Sequence, residues 1–281
     1  MNSKKSITFF RVFSVGVLLS FILSVVGAYT IQAKANTDRY CGYGDTATPY
    51  AAVSTETVSY TNREVSTVEI PKGVPRYTQM SDLENSCGPT AGAIIVGYYD
   101  KTYTNLIPNY TPCLASGKFL GKDKVYVPQL MRDLYTLMRT NVDDVGVSET
   151  DCLNGLHTYV DNHGYSISYT NAKSGNTVSE SVCTNGFNNL QPIMLFCKKM
   201  DLYLLTNNSE TKQDKLVMSA YTGGHVVVAH ALYTIKYYNG NINFRTDKYL
   251  EVATGMAEIT SGYIKIASTD WCNAAYAVNI S

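Results

Sequence analysis

"NSCGPTAGAIIVGYYD", residues 85–100, sets Cys87 before Gly88 and Pro89 and a run that reads as helix. Ala91, Ile94, Ile95 and Tyr98 recur at three- and four-residue spacing, which is a helical stripe. Pro89 suits a first turn, where a missing N–H costs little. The spacing therefore predicts Cys87 at a helix N-terminus, where free N–H groups and the helix dipole stabilise a thiolate and lower its pKa. A sulfur so placed is a candidate nucleophile.

Working outward, "PKGVPRYTQ" (71–79) is extended, because its prolines and glycine disfavour helix, and "MSDLENS" (80–86) is a polar loop. "VPQLMRDLYTLMRT" (127–140) predicts a second helix and "CLNGLHTYVDNHG" (152–164) a third, ended by Gly164 and followed by the strand "YSISYT". "FNNLQPIMLFCKK" (187–199) reads as a turn and a buried strand. Beyond Gly223 and Gly224 the chain is strand-rich: "HVVVAHALYTIKYY", "NFRT", "KYLEVAT" and "GYIKIAS". Helices precede a sheet, an α+β order consistent with two lobes.

The N-terminus speaks to location. Lys4, Lys5 and Arg11 precede an uncharged stretch from Val12 to Ala33, and Ala33 and Ala35 offer small residues to a signal peptidase. Residues 1–35 read as a signal peptide cleaved after Ala35, or as an uncleaved anchor; in either case the remainder is extracytoplasmic, secreted or held at the cell surface, and a membrane is involved only if the segment stays on. Residues 36–70, rich in Thr, Ser and Tyr with alternation in "TVSYTNREVSTVEI", read as an N-terminal extension: a pro-segment, a linker or an edge strand. Residues 71–281 form the main domain.

Four of the 23 basic residues lie in the leader, leaving 19 against 23 acidic ones in the exported chain. A mildly acidic product without a dense Lys/Arg run has no electrostatic footprint for nucleic acid. Hydrophobic residues at 45% support a packed core, while 16% charged residues and 23 tyrosines suit a neutral-polar extracellular surface. The seven cysteines, Cys41, Cys87, Cys113, Cys152, Cys183, Cys197 and Cys272, form no C-x-x-C or C-x-x-H pair, so a zinc site is not expected. An odd count outside the cell partitions into three disulfides and one free thiol, with Cys87 the candidate for the latter.

A nucleophilic thiol needs a base, an orienting group for that base, and donors for an oxyanion. His157 and His163, six apart on a predicted helix, share no face and read as surface or half-buried polar residues. His225 opens a strand after two glycines and is the candidate base. His230, five residues on, points to the opposite face of a regular strand and reads as a core histidine or as a residue supporting the site from behind.

"VPRYTQ", "NSCGPTA", "GGHVVVAHALY", "YLEVATG" and "GYIKI", in that order, resemble the papain-like cysteine peptidases, most closely the secreted C39-like peptidase family, over about residues 71–266. The resemblance implies a two-lobed fold, with a helical lobe carrying Cys87 and an antiparallel sheet lobe carrying His225. It implies a cysteine peptidase acting on polypeptides through a Cys87 acyl-enzyme, with His225 as base, Gln79 as the side-chain donor of the oxyanion hole, and no metal or organic cofactor. The family's Asn or Asp that orients the imidazole is replaced here by Thr254, with Asp247 the nearest acidic alternative, read as lying before the strand. Two other readings stay open: a cell-wall amidase or transferase using the same pair, and a non-catalytic surface binding protein on a degenerate peptidase scaffold.

Overall fold

The computed structural model describes residues 53–110, 125–142, 146–221, 223–266 and 271–281, with the backbone of 114–115 and 118–119. Residues 1–35, read from sequence as a leader, and Cys41 and Cys113 lie outside the described residues. Four helices are described: α1 (Cys87–Asp100), α2 (Tyr126–Leu137), α3 (Glu149–Asn162) and α4 (Glu180–Asn188). One antiparallel sheet holds ten strands: β1 (Ser54–Ser59), β2 (Asn62–Glu69), β3 (Ile167–Asn171), β4 (Ile193–Cys197), β5 (Met200–Asn208), β6 (Gln213–Tyr221), β7 (His225–Asn239), β8 (Ile242–Ala253), β9 (Ser261–Lys265) and β10 (Cys272–Ile280). Its order is β1-β6-β5-β9-β8-β7-β4-β10-β3, with β2 also paired to β7. The fold is mixed, with helices packed on a large antiparallel sheet.

The long strand β7 organises the molecule. Residues His225–Ala229 pair with β4, and Ala231–Tyr238 pair with β2, so β4 and β2 lie end to end along one edge of β7. The changeover falls at His230, the extra residue of a β-bulge between Ala229 and Ala231 in the pairing with β8. The bulge breaks the strict alternation on which His230's predicted orientation rested. His230 is buried, Ile70 N–H donates to its carbonyl at 2.9 Å, and its ring lies over Gly73, where a Cβ would sit 3.5 Å from ring atoms.

Residues 54–69 build two strands of this sheet. β1 pairs with β6 and β2 with β7, at opposite ends of the run β1-β6-β5-β9-β8-β7-β2, yet only Tyr60 and Thr61 separate them. Laid flat, seven strands would put the outer two about 29 Å apart, whereas three Cα steps span at most about 11 Å. The run must therefore curl back on itself. The contacts agree: Tyr60 N–H donates to Lys212 O at 3.0 Å and Thr61 N–H to Tyr238 O at 2.8 Å, so the two linking residues stitch both ends together. This curled run encloses a small tyrosine-rich core of Val58, Leu205, Leu216, Ile235, Tyr237, Tyr249 and Tyr263.

Buried carboxylates within it are neutralised locally. Asp214 forms an ion pair with Arg63, whose Nε lies 2.7 Å from Oδ2, and accepts from Tyr237 OH at 2.8 Å. Asp247 is met by Arg245 and by Lys265, each at 2.7 Å. Burial pushes the Asp247 carboxyl up, but these two cations outweigh it and hold the pKa below its ordinary value. Asp247 lies in the middle of β8 opposite Ile235, not before the strand as read from sequence, and its oxygens are engaged there, not with His225.

The larger core lies between the helices and the arm β7-β4-β10-β3. α1 runs through it and is buried from Gly88 to Asp100, a helix covered on all sides instead of the one-sided stripe suggested by spacing. Glycines permit this closeness: a Cβ on Gly97 would lie 2.4 Å from Tyr77 Oη, and one on Gly92 would lie 2.8 Å from Met138 Cε. α2 and α3 match the two further predicted helices to within a few residues. α4 and the strands β5, β6 and β10 were not read from the sequence. Among the described residues no helix is long and apolar enough to cross a membrane.

Candidate active site

Cys87 is the first residue of α1, after Ser86, as the spacing predicts. Gly88 follows because the wall opposite comes close: a Cβ there would lie 2.4 Å from Val147 Cγ1 and 3.4 Å from Cys152 Sγ. His225 is the first residue of β7, directly opposite Cys197 of β4, which in turn faces Cys272 of β10. Gln79 reaches the site on the extended segment before α1. Cys87, His225 and Gln79 line one cleft of about 600 Å³. Val226 N–H donates to the Cys87 sulfur, which ties the thiol to the residue next to His225.

Thr254 enters through its backbone. The carbonyl of Thr254 lies 2.7 Å from His225 Nε2, and because a carbonyl only accepts, Nε2 carries the proton. In the neutral ring Nδ1 is then the basic nitrogen. The Thr254 hydroxyl is occupied elsewhere: Oγ1 donates to Ile259 O and accepts from Met256 N–H at 3.1 Å. Together with Thr254 N–H donating to Thr260 O at 3.1 Å, these bonds close the turn after β8 and hold its carbonyl on the imidazole.

The same turn positions Gln79. Gln79 N–H donates to Gly255 O at 2.7 Å, one residue beyond the carbonyl that holds His225. Gly255 has φ +73°, and a Cβ there would sit 3.1 Å from Thr90 Cγ2 on the first turns of α1. The 254–255 turn is thus the junction at which the Gln79 segment, the Cys87 helix and the His225 strand are registered to one another.

Burial sets the protonation states, and it reverses one expectation. The helix N-terminus is present, and N–H groups of Val226, Gly88 and Cys87 itself favour the thiolate, yet burial dominates and pushes the Cys87 pKa above the ordinary thiol value. A helix terminus is worth about 0.3–1 kcal/mol, under one pKa unit, so desolvation can outweigh it. Burial likewise lowers the His225 pKa, against the opposing bond to Thr254. Both shifts favour the neutral forms, the thiol of Cys87 and the imidazole of His225. The Tyr221 ring packs on His225 at 5.1 Å between centroids, tilted by 57°.

Sequence reasoning missed most of the opposite wall. Asn85, Gly146–Glu149, Phe196, Tyr221 and Asn273 also line the cleft. They come from separate loops and strand ends whose local patterns carry no chemical signature. Asn85 Nδ2 donates to Asn141 Oδ1 at 2.6 Å, and Asn141 N–H to Gly146 O at 2.6 Å, so the loop before α3 is tied to the loop before α1. His157 is half exposed beside Asp161 at 3.1 Å, and His163 ends α3 with Nδ1 2.7 Å from Tyr159 O; both stand away from the cleft lining.

The cysteines differ from the three-disulfide partition expected of an exported chain. Cys87, Cys152, Cys183, Cys197 and Cys272 are all free thiols, and all but Cys87 are buried. Burial raises the pKa of Cys183 to about 12 and of Cys272 to about 11, so these behave as small apolar core residues. Among the described residues no group of three or more His, Cys, Asp or Glu side chains is placed to hold a metal. The chain matches no protein-family model, no curated protein and no solved structure.

Proposed function

We propose that the chain is an exported cysteine peptidase of the papain-like, C39-like kind, cleaving polypeptides without a metal or organic cofactor. The observation that carries the reading is the convergence of Cys87, His225 and Gln79, from three distant segments, on one cleft, with His225 Nε2 tied to the Thr254 carbonyl. With Nε2 donating, Nδ1 of His225 removes the thiol proton as Cys87 Sγ bonds to the substrate carbonyl carbon. The oxyanion that forms is received by the Cys87 N–H and the Gln79 side chain. The imidazolium then returns its proton to the leaving amine as the C–N bond breaks. His225 next deprotonates a water, whose attack on the thioester releases the acid and restores the thiol.

Two neutral partners make this a general-base mechanism, with charge separating only during attack. The buried pair, with a carbonyl where a carboxylate would stabilise an imidazolium, also favours a second reading, a binding protein on an inactive scaffold. Incubation of the exported chain with an unfolded protein substrate separates the two. Peptide release that is abolished in Cys87→Ser and His225→Ala, and reduced about 10²–10³-fold in Gln79→Ala, supports the peptidase. No cleavage, with Cys87 inert to thiol reagents in the folded chain, supports the binding protein.

A further inference from the structure

The cleft is electrostatically one-sided. Glu149 stands on its wall in the first turn of α3, and among the described residues no Lys or Arg lines the cleft with it. Its carboxylate is held in place: Tyr276 OH donates to Glu149 Oε1 at 2.5 Å. Tyr276 in turn packs edge-on against Phe196 at 6.4 Å and 84°. Phe196 lines the same cleft, as does Asn273 from the start of β10. One oxygen of a carboxylate with about four acceptor positions is engaged by the tyrosine, which leaves acceptor capacity for a ligand. Phe196 is otherwise buried, at 7% exposure, so it offers the cleft a small apolar area; that area beside a fixed carboxylate matches a side chain with an apolar stem and a cationic tip.

We propose that Glu149 and Phe196 form a subsite for a Lys or Arg side chain of the polypeptide that occupies the Cys87 cleft. The stem lies along Phe196 and the cation meets the carboxylate that Tyr276 holds. This rests on the peptidase reading for the identity of the ligand as a polypeptide. Its physical content, a cation-selective wall, is independent of turnover.

The test uses the full exported chain carrying Cys87→Ser, which cannot turn over, and capped peptides that differ only in lysine against norleucine at one position, scanned along the peptide. Calorimetric titration at low salt is expected to show about five-fold tighter binding for lysine at one position. Glu149→Gln keeps an oxygen for Tyr276 and should abolish that preference with the fold intact. A parallel measurement needs no peptide: with Cys87 present, a cationic methanethiosulfonate should modify it faster than an anionic one of similar size, and Glu149→Gln should bring the two rates together. Equal affinity for both peptides at every position, or no binding of either, overturns the subsite. So does a preference unchanged in Glu149→Gln. The two readings fail separately. Binding preference without cleavage by the unmutated chain sinks the peptidase and leaves the subsite standing, whereas cleavage indifferent to lysine keeps the peptidase and sinks the subsite.

Discussion

Asp100 ends the helix that Cys87 begins, and it offers a direct check on the burial reasoning. Its side chain is wholly buried; Oδ1 accepts from Ile107 N–H at 2.8 Å, and Oδ2 has no partner among the described residues. Burial raises its pKa from 3.8 to about 6. The sign follows from linkage. A salt-bridged aspartate has a depressed pKa and loses stability as pH falls, but here the folded chain binds the proton more tightly than the unfolded one. The contribution of Asp100 to stability is therefore greatest below about pH 4 and is lost as pH rises through about 6. A shift of about two units at 1.36 kcal/mol each predicts a change of about 3 kcal/mol across that window. Asp100→Asn keeps an oxygen for Ile107 and removes the titration. Urea unfolding of both chains between pH 4 and 8 should show the wild type losing about 3 kcal/mol relative to the variant, with no further change above about pH 7. A difference that stays flat across the window, or that grows in favour of the wild type, would refute the assignment of a neutral buried carboxyl.

The remaining predictions concern the cleft and the sheet. Alkylation of Cys87 by iodoacetamide should accelerate with an apparent pKa above the ordinary thiol value of about 8.5, so a profile that levels off near neutrality would show that burial does not dominate. Thr254→Val removes a hydroxyl that bonds Ile259 O and Met256 N–H but leaves the carbonyl on His225; it should cost about 1–3 kcal/mol in urea unfolding, with kcat per folded molecule nearly unchanged, and a large fall in kcat at full stability would make the hydroxyl the orienting group. A chain starting at residue 71 loses β1 and β2, uncovers the tyrosine-rich core and leaves Asp214 without Arg63, so it should be recovered unfolded or markedly destabilised; a stable truncated chain with raised activity would instead mark 54–69 as a removable inhibitor.

Local pattern was enough for the elements that bear Cys87 and His225. Pro89 and the spacing of Ala91, Ile94, Ile95 and Tyr98 placed a helix at Cys87, and two glycines before an apolar run placed a strand at His225, because both signals are short-range consequences of backbone geometry. The alternation in residues 57–70 was likewise visible, but whether it made a pro-segment, a linker or a strand depended on partners more than 150 residues away in β6 and β7. Only the tertiary structure decided that the two-residue link at Tyr60 and Thr61 curls the sheet, since strand pairing across the chain is not written in either strand alone. Only it decided that Thr254 meets His225 through its carbonyl, because the turn to Thr260 consumes the hydroxyl. The charge state of the thiol was decided there as well. A helix terminus can be read from a few neighbouring residues, but desolvation is the sum of everything packed around a group, and the Gly146–Glu149 wall, β4 and β7 that bury Cys87 come from remote parts of the chain.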